Sequence, residues 1–316
     1  MNAPVLAFLS VTLALNLATV RAAAPGQTAE QLTEHALAIA QAGKTAEARE
    51  ILLPLAEGGN PEAQFGLGMV LESAFSRPSE AALWYRRAAV IGHAAAENNL
   101  GALFFDGRGV PRSIAEALRW YRISADRGHA PAQYNLGMMI GRGQGTKADP
   151  VEMVKWLERA AQGGHDRAQA QLGRLYLEGV GVEPDLKKAR HWFEKSAEQN
   201  NLWGQYYLGL HLKRGEGTSR DLAGSISWFE KAASQGHILS AYELAVAYDL
   251  GLGVPTNPDL AIKHYKSAGE RNHVPSIRRL TAIYARGELG LPVDQALARY
   301  WGRKLNAAVR EKLPEL

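Results

Sequence analysis

The sequence predicts an all-α protein made of repeated helix pairs. Three observations lead there. A Leu-Gly pair at Leu67-Gly68 returns at Leu100-Gly101, Leu136-Gly137, Leu172-Gly173 and Leu208-Gly209, and continues as Leu244-Ala245 and Leu280-Thr281. A Trp follows in each of the first five units, at Trp84, Trp120, Trp156, Trp192 and Trp228, and His264 and Tyr300 take its place later. A Gly-x-Gly turn lies between the two marks at Gly107/Gly109, Gly143/Gly145, Gly179/Gly181, Gly215/Gly217 and Gly251/Gly253. The period is 36 residues after a first step of 33, and the first unit is the one that lacks the turn. Self-similarity at such a period is the signature of a stacked-repeat architecture.

The repeat sets aside the usual expectation that 316 residues make two or three globular domains. A stack of repeats is held by neighbour-to-neighbour contacts, not by one central core.

The first residues read as a secretory leader. Val5 to Val20 is an apolar run, followed by Arg21 and Ala22-Ala23-Ala24. Val20-x-Ala22 fits the small-residue cleavage rule, so cleavage is expected after Ala22. At about 16 residues the run is short for a membrane span, which needs about 20. The n-region carries no Lys or Arg, so an uncleaved anchor is the competing expectation. With the leader removed, no stable membrane span is expected and the protein is placed in the periplasm or outside the cell.

Residues 23–59 form a degenerate opening pair that caps the stack. Leu32, Ala36 and Ile39 mark one helix, and Ile51, Leu52 and Leu55 the second. A terminal repeat has one neighbour only and is therefore atypical.

Each full unit shows its helix borders. In the third, the first helix begins near Pro131, tolerated in a first turn, and ends at Gly143. The second helix of each unit opens at Ser113, Asp149, Asp185, Asp221 or Asn257, whose side chains suit an N-cap. Ser113 and Asp149 precede Glu116 and Glu152 by three residues, as in a capping box. The Leu ridge faces inward, the following Gly lets a neighbour approach, and the Trp is expected to fill the space between units.

The stretch from Asp166 to Asn201, DRAQAQLGRLYLEGVGVEPDLKKARHWFEKSAEQNN, resembles a Sel1-like repeat, a relative of the tetratricopeptide repeat. The resemblance runs through residues 60–306 and leaves 307–316 as a tail. It implies a right-handed α-α superhelix, a solenoid of about seven such pairs behind the degenerate N-terminal one. It also implies a protein-interaction scaffold that binds a partner protein or peptide, such as an envelope sensor or assembly factor. The alternative it leaves open is an envelope glycan-binding protein or hydrolase.

Composition narrows the chemistry. Basic residues outnumber acidic ones by 36 to 32 but are spread through the repeats, so no nucleic-acid face is expected. The chain has no cysteine, which removes disulfides, thiol catalysis and Cys-based metal sites together. His93, His129, His165, His237 and His273 share one slot, with Asn60 and Asn201 in the same place. They fall in turns of different units, whereas a metal needs its ligands around one ion. No metal is expected. The Gly-x-Gly turns follow helices rather than strands, so they do not form a dinucleotide fingerprint, and no cofactor is expected. Gly43-Lys44-Thr45 lacks the first Gly of a P-loop. There is no Gly-x-Ser-x-Gly elbow or His-Glu-x-x-His, and no catalytic residue is assigned: the chain is read as a non-enzyme.

One pattern points to binding. At 100° per residue, the second, fifth, ninth and twelfth positions of each first helix lie opposite the Leu ridge. They carry Phe65, Phe105, Tyr134, Arg174, Trp203, Tyr206, Lys213 and Tyr242, along with Met69, Asn98, Met138, Leu210, Val246 and Arg278. Aromatic side chains on a helix face away from its core need a partner. Either they pack on the neighbouring first helices, or they line a groove in which Arg174 and Lys213 favour an acidic ligand.

Overall fold

The computed structural model describes residues 27–310. The expected leader and the end of the expected tail lie outside the described residues. Within them are sixteen α-helices and no strand. The chain divides into two compact units at Gly163/Gly164.

The first unit holds four consecutive pairs: α1 (Ala29–Gln41) with α2 (Thr45–Glu57), α3 (Pro61–Ser73) with α4 (Pro78–Val90), α5 (Ala94–Asp106) with α6 (Ile114–Asp126), and α7 (Ala130–Gly141) with α8 (Pro150–Gln162). The second unit repeats the scheme: α9 (Asp166–Glu178) with α10 (Leu186–Glu198), α11 (Leu202–Arg214) with α12 (Leu222–Ser234), α13 (Ile238–Leu250) with α14 (Pro258–Glu270), and α15 (Val274–Arg286) with α16 (Gln295–Arg310). The last helix carries on past Asn306, where the repeat pattern was expected to stop. The 33-residue first step is explained by the α3–α4 connection, Ala74–Arg77, which is three residues shorter than Gly107–Ser113.

Local chemistry sets the borders. Ser113, Asp149, Asp185, Asp221 and Asn257 are all N-caps, and each side chain accepts a backbone N–H of the first turn. The capping box closes fully at Thr28 and Gln31. At the two expected boxes the glutamates turn elsewhere: Glu116 binds Arg119, and Glu152 accepts from Trp156 Nε1 at 3.2 Å. Gly107, Gly179, Gly215, Gly251 and Gly287 end first helices in the left-handed region. Gly143 is also left-handed, but α7 ends two residues earlier, at Gly141.

The core differs from expectation by one residue. The Leu ridge is buried as expected, with Leu67, Leu100, Leu136, Leu172, Leu244 and Leu280 fully covered. The side chain that fills each pair is the one after the Trp: Tyr85, Tyr121, Leu157, Phe193, Phe229, Tyr265 and Trp301. The ridge Gly makes room for that ring. A Cβ on Gly68 would fall 2.5 Å from Tyr85, and one on Gly209 would fall 2.6 Å from Phe229. Trp84, Trp120, Trp192 and Trp228 are half-buried, and only Trp156 is fully covered. Trp84, Trp156 and Trp228 take a cation from the next turn on the ring face, as with Arg87 over Trp84 at 4.4 Å and Lys231 over Trp228 at 3.8 Å. The reason is rotational. One step along a helix turns a side chain by about 100°, enough to move it from the pair's centre to its margin.

Candidate interaction surface

The shared His slot has a structural role. His93, His165 and His237 are N-caps of the following first helices, each Nδ1 accepting the N–H of Ala96, Ala168 or Ser240. Asn60 and Asn201 perform the same task with a side-chain oxygen. The cap works only while the ring is neutral. For His237, burial and then Arg271 bring the pKa down to about 4. The described residues contain no metal-ligand cluster.

These rings also receive the aromatic face of the preceding first helix. Phe65 stacks on His93 at 4.7 Å, Tyr206 lies 4.6 Å from His237, and Tyr242 lies 4.7 Å from His273. Phe65, Tyr206 and Tyr242 are therefore all engaged in helix-to-helix packing, with Tyr85, Phe229 and Tyr265 also within ring-contact range.

Among the described residues, the expected binding positions are accessible at two places, one in each unit. In the first unit, Phe105 and Tyr134 line a cleft of about 200 Å³ together with Asp106, Tyr121, Asn135, Met138, Met139, Arg142 and Gln144. It lies between α5 and α7, with α6 behind.

In the second unit, Trp203 is 48% exposed at the start of α11. Its indole meets His237 edge-on at 4.8 Å and lies nearly parallel to Tyr207 at 6.3 Å. Tyr207 in turn stacks on the buried Phe193 at 4.8 Å. Tyr206 completes the group, and burial beside Glu243 pushes its hydroxyl up to about 12, so it remains a donor. The exposed ring thus stands on aromatic side chains anchored in the core.

The two expected cations are already engaged. Arg174 pairs with Glu178 at 3.2 Å, one turn along its own helix. Lys213 pairs with Glu243 of the next first helix at 2.6 Å. Both side chains expected to recruit an acidic ligand thus carry an internal counter-ion, with which such a ligand would compete. Sequence reasoning missed Tyr207, His237, Tyr121, Asn135 and Arg142. A usable signal for the ring-on-His contacts exists: Tyr206 and Tyr242 each stand 31 residues before their His partners.

No helix among the described residues is long and apolar enough to cross a membrane. The pattern of the Sel1 repeat matches residues 61–92, 94–129, 130–165, 166–201, 204–237, 238–273 and 277–305. Among curated proteins none matches. Among solved structures, a Sel1 repeat protein from Oxalobacter formigenes superposes with a TM-score of 0.70 at 28% identity, over 80% of this chain and 98% of that one. A protective antigen present in uropathogenic Escherichia coli strains, which displays an SLR fold, superposes with a TM-score of 0.65 at 31% identity. That match covers 84% of this chain and 64% of the antigen.

Proposed function

The chain belongs to the Sel1 repeat family, and on that premise we propose that it is an exported, non-enzymatic scaffold that holds a partner protein or peptide on the faces of its first helices. The observation that carries this reading is the braced, half-exposed Trp203. A large aromatic ring held in place by its neighbours loses little rotamer freedom on binding, and Trp and Tyr are enriched among interface hot spots. Ion pairing of Arg174 and Lys213 within the chain leaves contact area, rather than net charge, as the main driving term at this patch.

Export rests on the leader-like first residues. An envelope sensor or assembly factor is the class of partner proposed.

The test is crosslinking capture from the envelope fraction with the wild type and Trp203→Ala, alongside thermal unfolding of both. Loss of one captured partner with an unchanged midpoint supports the reading. Equal capture by both proteins removes the patch as the binding surface.

A further inference from the structure

The places where neighbouring first helices meet differ in one instructive way. Between α3 and α5, Glu72 fills the gap. It takes the Tyr85 hydroxyl at 2.8 Å and the Arg108 guanidinium. Between α13 and α15, Asp249 does the same. It takes the Tyr265 hydroxyl at 3.0 Å and two nitrogens of Arg279 at 2.8 and 3.1 Å. Between α11 and α13, Lys213 and Glu243 close the gap with each other. Between α9 and α11, the Tyr207 ring lies over Phe193.

At the α5–α7 meeting the closing groups are missing. Phe105 stands where Glu72 stands one repeat earlier, and Gln144 stands where Arg108 does. Tyr121 keeps the place of Tyr85 and Tyr265, yet its hydroxyl has no hydrogen-bond partner among the described residues. The result is the cleft of about 200 Å³, with Tyr121 on its wall and Arg142 lining it. Arg142 forms no ion pair among the described residues. The one acid in the cleft, Asp106, is held by Arg108 Nε at 3.1 Å. Burial, with Asp106 second, raises the Tyr121 pKa, so the hydroxyl stays protonated and available as a donor.

We propose that the cleft between α5 and α7 takes an acidic side chain of the partner, whose carboxylate accepts from Tyr121 and pairs with Arg142 while its stem lies on Phe105 and Met138. The occupant is defined by the chain itself. Where a carboxylate is supplied internally, at Glu72 and Asp249, the same Tyr and a guanidinium bind it. Where it is not, the Tyr and a free guanidinium remain. Charge-assisted hydrogen bonds of this kind discriminate strongly between a carboxylate and its amide. The inference rests on the scaffold reading above and adds the chemistry of one contact.

A positional-scanning library of acetylated, amidated nonapeptides offered to the mature full-length chain tests it. Selection of Glu or Asp at one position is expected, with about tenfold weaker binding when that residue is changed to Gln. Arg142→Gln and Tyr121→Phe should each weaken the acidic peptide about tenfold and leave its Gln counterpart unchanged. The double change Phe105→Glu with Gln144→Arg restores the internal pair and should abolish the acidic preference without lowering the unfolding midpoint. Peptides that bind through Trp203 with no acidic preference would overturn the inference and leave the scaffold reading standing. An acidic preference indifferent to all three proteins would also overturn it. Failure of every peptide to bind would overturn both.

Discussion

Phe193 lies against Gly173 so closely that a Cβ on the glycine would fall 2.6 Å from the ring's Cε1. This contact, repeated as Tyr85 on Gly68 and Phe229 on Gly209, locks those helix pairs together. Phe193→Ala should therefore cost about 3–5 kcal/mol, the usual range for emptying a buried aromatic site. Trp192→Ala removes a half-buried ring and should cost about 1–2 kcal/mol. Urea unfolding of the two variants checks the order. A larger loss at Trp192 would return the core to the Trp row.

His237 caps α13 through Nδ1, and its neutral form is required. Its folded pKa of about 4 lies below the ordinary histidine value, so the unfolded chain takes up the proton first. The stability it contributes is present above about pH 6.5 and is lost as the pH falls toward 4. His237→Asn keeps a cap of the type seen at Asn201 and removes the titration. The variant should lose on the order of 2 kcal/mol less than the wild type between those limits, measured by unfolding at a series of pH values.

Glu97 is 1% exposed, and Arg127 Nε reaches its Oε1 at 3.0 Å while Oε2 is left without a partner. Desolvation outweighs the cation and raises its pKa. A raised carboxylate favours folding most while protonated, and that contribution is lost as the pH rises through the folded value. Gln64 and Gln133 hold the same position in neighbouring units, donating to the carbonyls of Ala56 and Ala125. Glu97→Gln should be neutral or stabilising by up to about 1 kcal/mol near pH 7, with the gain shrinking toward pH 4. A clear loss of stability at pH 7 would mean that the Arg127 pair outweighs the burial.

Asp249 joins Arg279 and Tyr265 across two helix pairs. Asp249→Ala leaves the Tyr265 hydroxyl and two Arg279 nitrogens without their acceptor, with Glu288 still paired to that guanidinium, and should cost about 2–3 kcal/mol. Glu178→Ala, which removes an exposed i,i+4 partner of Arg174, should cost less than about 0.5 kcal/mol. Chemical denaturation of the pair tests whether ties between repeats, rather than surface pairs, hold the stack.

If the leader is removed as proposed, N-terminal sequencing of the mature protein should begin near Ala23. Intact Met1 in a soluble cytoplasmic fraction would exclude export.

What the sequence determined by itself is the local grammar. The period, the caps at Ser113, Asp149, Asp185, Asp221 and Asn257, and the left-handed turns at Gly179 or Gly215 depend on a few adjacent residues and on where a Cβ is tolerated. The phase of the Leu ridge was legible for the same reason. The candidate surface was legible only in part: Trp203, and Phe105 with Tyr134, line the two open places, whereas Phe65, Tyr206 and Tyr242 are packed on His93, His237 and His273. Which neighbour of a Trp reaches the core turns on one step of helix rotation and on whether a Gly faces it, which packing alone decides. The fate of the charges was likewise hidden. Lys213 meets Glu243, Arg279 meets Asp249, and Arg127 meets Glu97, each 30 residues apart along the chain; the first two come together only when one pair stacks on the next, the third only when the two helices of one pair close on each other. Charge complementarity across that distance has no local signature, because a side chain's partner is fixed by the neighbouring helix and not by its own.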